Sequence, residues 1–169
     1  MINILRHIVD TKKQKTAENK KAVNMIDINK FVNLWVGKKC RDGQCVGLFR
    51  EYTEGFLKTP TLERLGATAG AEGIFTRYDS DVGPVTRKVF MRIVYDGKMR
   101  PLPGDIVVFK PTEKNRFGHV GVYVEPADGG KMVIFDQDGI AAMEGMPVKA
   151  RLSTWSMDRV LGWLRKREG

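Results

Sequence analysis

Cys45 and His119 are the two side chains whose types and settings could support covalent chemistry. Cys45 follows Gly43-Gln44 and opens the stretch QCVGLFREYTEGFL, where Cys45, Leu48, Phe49 and Tyr52 recur at offsets of three, four and seven. That spacing predicts a buried helix with the thiol in its first turn, although Gly47 is a poor helix former. At a helix start the unpaired amides and the positive dipole end favour an anion, hence thiolate over thiol. The same amides could hold the oxyanion of a tetrahedral intermediate. A helical cysteine can equally be a small buried hydrophobe.

The chain has two histidines, and His7 lies in a polar leader where it reads as incidental. His119 sits in RFGHVGVYVE, at the start of a predicted strand with Val120, Val122 and Val124 on one face. Gly118 beside it allows close backbone approach. Such an imidazole is either a general base or a satisfied structural group. A base needs a third group to orient it. Asp136, Gln137 and Asp138 close the next predicted strand, KMVIFD, and the turn at Ala127 to Gly130 would fold that strand beside the one bearing His119. Asp136 is then the geometrically plausible partner, or else an ordinary turn carboxylate.

The elements that must position these groups can be read along the chain. Asp27 could cap a helix over 28–36, with Ile28, Phe31, Val32 and Trp35 at helical spacing. Gly37 stops it, and GKKCRDG forms a loop carrying Lys38, Lys39 and Arg41. Residues 57–84 mix a short helix with glycine-rich loop, and YDSDVGP signals a turn. RKVFMRIV reads as a strand before the Asp96-Gly97 turn, and Ile106 to Phe109 as another after RPLPGD. MPVKARLS and RVLGWLRK are two further strand candidates. Helices first and short, tightly connected strands after give an α+β domain with an antiparallel sheet. Residues 1–26 form a basic leader arm, and 27–169 form the domain.

Composition bounds the function. With 42% apolar residues in a chain of 169, a sizeable core is affordable and disorder is not expected. Two cysteines allow at most one intramolecular disulfide, which excludes a disulfide scaffold. Apolar runs such as Ile106 to Phe109 are far shorter than the ~20 residues of a membrane span. The start of the chain lacks the pattern of a secretory signal. The net charge is +9, and residues 1–50, with 11 basic and 4 acidic side chains, hold most of it. The surplus suits an anionic polymer, whether nucleic acid, acidic lipid or wall polymer.

The blocks GQC at 43–45 followed by Leu48 and Tyr52, PLPGDIVVF, GHVGVYVE and FDQDG, in this order, resemble the CHAP family. These are the cysteine- and histidine-dependent amidohydrolases and peptidases of bacterial and phage cell-wall hydrolases. The resemblance covers roughly residues 27–165. It implies a papain-like core with helices packed on an antiparallel sheet, Cys45 as nucleophile and His119 as base. The family often places glutamate, glutamine and asparagine after the histidine hairpin, where this chain has Asp136, Gln137 and Asp138. Asp136 is the favoured third residue, Asp138 the alternative, and Gln137 and Gln44 are supporting candidates.

The implied activity is hydrolysis of an amide bond in peptidoglycan, between lactate and the first alanine or within the peptide. No cofactor is expected. The loop before Cys45 has Asp42 as its one acid, too few for calcium, and zinc through Cys40, Cys45 and His119 lacks a paired ligand motif. Cys40 reads as a bystander near the site. Contact with anionic wall polymers would use the basic surface. Family habit suggests an endolysin held in the host cytoplasm until the membrane is breached, or a virion-borne hydrolase. The rival is a basic binding module, but Trp35, Trp155 and Trp163 do not interleave with basic residues, and no nucleic-acid motif is present.

Overall fold

The computed structural model describes residues 28–59, 70–80, 84–137 and 148–167. The leader arm, Asp27 and Asp138 lie outside the described residues. Helix α1 occupies 28–35, with Ile28, Phe31 and Val32 buried as their spacing predicts. Gly37 takes φ +77° and ends it. Helix α2, Cys45–Arg50, continues without a break into a π-helical turn, Glu51–Phe56. Leu48, Phe49 and Tyr52 are buried along one side of it. Two short helices follow, α3 (Gly73–Thr76) and α4 (Pro84–Val89).

The strands are β1 (Phe90–Val94), β2 (Ile106–Phe109), β3 (His119–Pro126), β4 (Met132–Asp136), β5 (Arg151–Trp155) and β6 (Val160–Lys166). They form one six-stranded sheet in the order β1-β6-β2-β3-β4-β5, and every neighbouring pair is antiparallel. The α+β architecture of helices on an antiparallel sheet is thus as the sequence predicts.

Alternation along the strands divides the core in two. Ile106, Val108, Val120, Val122 and Phe135 pack with α1 and α2 in one cluster. Val107, Phe109, Tyr123, Met132, Ile134 and Trp163 form a second cluster on the opposite face. β2 and the first five residues of β3 are therefore buried on both sides. A strand sandwiched in this way reads as a continuous apolar run.

Two strand expectations shift. The strand predicted from Arg87 begins at Phe90, because Pro84–Val89 is helical. Proline fits the first turn of a helix, where its missing N–H costs nothing. Arg87 Nη1 donates to the carbonyls of Tyr78 and Ser80, tying this helix to the preceding turn. The strand predicted over MPVKARLS begins at Arg151. Ala150 instead exchanges backbone bonds with the α1–α2 loop: Gly37 N–H donates to its carbonyl and its N–H donates to Lys38 O, both at 2.8 Å. Among the described residues, no helix is long and apolar enough to cross a membrane.

Candidate active site

Cys45 is the first residue of α2, half-buried, and a tight loop delivers it there. Arg41 (φ +48°) and Gly43 (φ +89°) turn the chain, and Asp42 Oδ1 accepts the Gln44 N–H at 3.0 Å. Gly47, the poor helix former, has a reason to be glycine. A Cβ there would meet Asp42 Oδ1 at 2.2 Å and displace the carboxylate that closes the turn. Arg41 is held by Glu51 at 3.0 Å and Glu54 at 3.1 Å, strapping the loop to the helix it starts.

His119 opens β3, and the loop before it sets its position. Asn115 Nδ2 donates to Gly118 O at 2.8 Å, and Asn115 Oδ1 accepts the Phe117 N–H at 3.1 Å. Gly118 has φ +68°, and a Cβ there would lie 2.7 Å from Phe109 O, so only glycine fits. The His119 side chain is 2% exposed. It lies beside Phe109, and Trp155 stacks on it at 4.7 Å with 7° between the planes.

Asp136 ends β4 with a side chain wholly out of water. Its Oδ2 accepts from His119 Nε2 at 3.0 Å and from Trp155 Nε1 at 3.0 Å. Its Oδ1 accepts from Ser153 Oγ at 2.8 Å, and Arg151 Nε stands 3.9 Å away. A buried carboxylate is tolerable when its lone pairs are met this completely. Cys45 interacts with the same imidazole. Because Nε2 is engaged by Asp136, Nδ1 is the ring nitrogen left for the sulfur. Burial works against the charged ring, but the hydrogen bonds and charges of Asp136 and Cys45 outweigh it and push His119 up to about 10.

The structure therefore brings together Cys45, His119 and Asp136, three groups far apart in sequence. Gln137 is buried and serves the Cys40–Gln44 loop instead of the imidazole. Its Oε1 accepts the Cys40 N–H at 2.7 Å, and its Nε2 donates to Cys40 O at 2.9 Å and Gln44 O at 3.3 Å. Gln44 is exposed and makes no side-chain cap on α2; its contribution here is its carbonyl. Cys40 takes part through its backbone, not its thiol. Its backbone is the anchor that Gln137 grips, and burial pushes its thiol up to about 12, which leaves it protonated and inert. Both cysteines are free. Among the described residues, no cluster of three metal-binding side chains exists.

Ser153 carries no role in the sequence reading, and Trp155 enters it only among the tryptophans of the rival binding module. Their signal is present but faint: they alternate on β5, in register with Ile134 and Met132, on the face that Asp136 shares. The acceptor they meet becomes visible only when β5 is seen beside β4.

No protein-family model and no curated protein sequence matches the chain. Solved structures do resemble it in fold. A wild type endolysin, LysIME-EF1, superposes with a TM-score of 0.61 at 24% identity, over 83% of this chain and 63% of that one. Ly7917 with the hydrolyzing product of MDP gives 0.57 at 19% identity, over 84% of this chain and 62% of that one. Ly7917 alone gives 0.58 at 18% identity, with the same coverage of 84% and 62%. The chain thus spans less than two thirds of the length of each.

Proposed function

We propose that the protein is a cysteine hydrolase that cleaves an amide bond of peptidoglycan. The observation that carries this reading is His119, held by Asp136 at Nε2 and interacting with Cys45 at the start of a helix. The fold likeness to an endolysin supports the choice of substrate.

With His119 pushed up to about 10, the ring holds a proton throughout the neutral range. That imidazolium faces Cys45. The sulfur attacks the scissile carbonyl, and the first backbone N–H groups of α2, which lack intrahelical acceptors, stabilise the oxyanion. His119 Nδ1 gives its proton to the departing amine. It then takes one from the water that hydrolyses the thioester, releasing the acid and restoring the pair. Asp136 keeps the ring in the orientation that presents Nδ1. Trp155 covers the His119–Asp136 bond and excludes water, which strengthens it.

The test is digestion of purified peptidoglycan followed by mass spectrometry of the fragments. The expected result is new amino termini that grow with time and are absent with Cys45→Ala. Fragments released equally by Cys45→Ala, or no release from walls of several bacteria by a folded protein, overturn the reading. The position of the new termini separates an amidase from an endopeptidase.

A further inference from the structure

We propose that a cavity of about 420 Å³ at the far end of the sheet is a second binding site, for an apolar ligand that carries an anionic group. The cavity lies where β3 ends and β4 begins, so the strands that bear His119 and Asp136 at one end form its wall at the other. At ~3.3 Å per residue, Val124 to Pro126 are roughly 17–23 Å along β3 from His119. A molecule bound here would not touch Cys45.

Its volume falls in the range of small-molecule sites, ~300–1,000 Å³, and its lining has their chemistry. Pro101, Pro103 and Met132 supply apolar surface. The polar groups that line it are few, and three of them suit an anion: Arg100, Lys131 and the Tyr123 hydroxyl. Arg100 Nη1 donates to Tyr95 OH at 3.2 Å, and a Cβ on Gly130 would lie 3.9 Å from its Nη2. The guanidinium thus reaches the Asp128–Gly130 turn, and Lys131 follows that turn directly. Among the described residues neither cation makes an ion pair, in contrast to Arg41 and Arg165, which are both matched to carboxylates. Burial holds the Tyr123 phenol above its ordinary value, so it remains a donor at neutral and mildly alkaline pH. Glu125 shares the lining without pairing either cation, and the site keeps a net positive charge. An apolar floor beneath two cations without an ion pair among the described residues selects a ligand with a carbon skeleton and a carboxylate, phosphate or sulfonate.

Two matched probes separate the parts of this argument: 8-anilino-1-naphthalenesulfonate and its uncharged counterpart N-phenyl-1-naphthylamine. Calorimetric and fluorescence titration of the full chain should give one site per molecule for the sulfonate, with binding at least tenfold tighter than for the neutral probe. Arg100→Ala combined with Lys131→Ala should remove that preference by weakening the sulfonate alone. Ala127→Trp, or Leu102→Trp should the first variant not fold, would fill the cavity and weaken both probes at least tenfold. Alkylation of Cys45 by iodoacetamide should proceed at the wild-type rate in every variant. Equal affinity for the two probes, binding undiminished in both tryptophan variants, or a stoichiometry of several dyes per chain would overturn the proposal.

Discussion

Asp136 accepts three hydrogen bonds in a place without water, and this permits a sharp comparison of two substitutions. In Asp136→Asn the side-chain carbonyl can stand where Oδ2 stands and accept from His119 Nε2 and Trp155 Nε1. The new NH2 group then takes the place of Oδ1 and donates to Ser153 Oγ, which turns to accept. The His119 and Trp155 donors keep their acceptor, the half-buried Ser153 hydroxyl can turn its own proton outward, and the fold should survive. What is lost is the charge. A hydrogen bond to a charged group is worth ~1.5–3 kcal/mol net, against ~0.5–1.5 for a neutral one, so imidazolium loses about 1.4 kcal/mol of support. That is about one pH unit. Asp136→Ala leaves the buried His119 donor unmet at ~1–3 kcal/mol and also takes the acceptor from the half-buried Trp155 and Ser153 donors, together a sizeable part of the whole stability of a domain. The assays are thermal unfolding and the rate of Cys45 alkylation across pH 5 to 11. Buried Cys40 does not interfere. Asp136→Asn should melt close to wild type, with its alkaline limb moved down from about 10 by roughly one unit. Asp136→Ala should melt far lower. An alanine variant as stable as wild type, or an asparagine variant with an unmoved alkaline limb, would refute the reasoning.

Three further outcomes follow from the same network. Gln137→Glu can still accept from Cys40 N–H but sets a carboxylate against the carbonyls of Cys40 and Gln44, so hydrolysis should fall at least tenfold and more than in Gln137→Met. Initial rates on soluble wall fragments check the order. Trp155→Phe keeps a ring over His119 but removes the donor to Asp136, which should cost about 1–2 kcal/mol in a denaturant titration and leave alkylation measurable. His119 is raised in the fold from an ordinary 6.5 to about 10, so its stabilising effect is full below about 6.5 and is lost as pH rises through about 10. Denaturation midpoints should therefore decline across that window in wild type and less in His119→Gln.

Much of this arrangement is legible because its parts are local. The heptad-like spacing of Cys45, Leu48, Phe49 and Tyr52 yields α2 and the seat of the thiol, and alternation yields β3 and β4. Asp136 follows from hairpin pairing alone. The π-helical turn at Glu51–Phe56 has no such mark, since its spacing differs from an α-helix by a fraction of a residue per turn. The helix at Pro84–Val89 is hidden because Lys88, Val89 and Phe90 suit a strand equally well, and the anchoring of Arg87 is tertiary. Ser153 and Trp155 are illegible for a similar reason: a serine and a tryptophan in a short strand acquire meaning only from the carboxylate across the ladder. Lys38 and Arg41, which read as loop charge, are committed to Leu34 O and to two glutamates. Less of the basic surplus is free to meet a polyanion than the count suggests.

Asp136 and Gln137 are consecutive, and the pleat sends them to opposite sides: one to the imidazole, the other to the turn beneath the sulfur. Strand four thus works as a ruler with two marks on its last graduations. Insertion or deletion of one residue within it would swap the marks, uncoupling His119 and the loop before Cys45 in a single event. Length variation in homologous chains should therefore be tolerated in the connections between strands and be absent from this one.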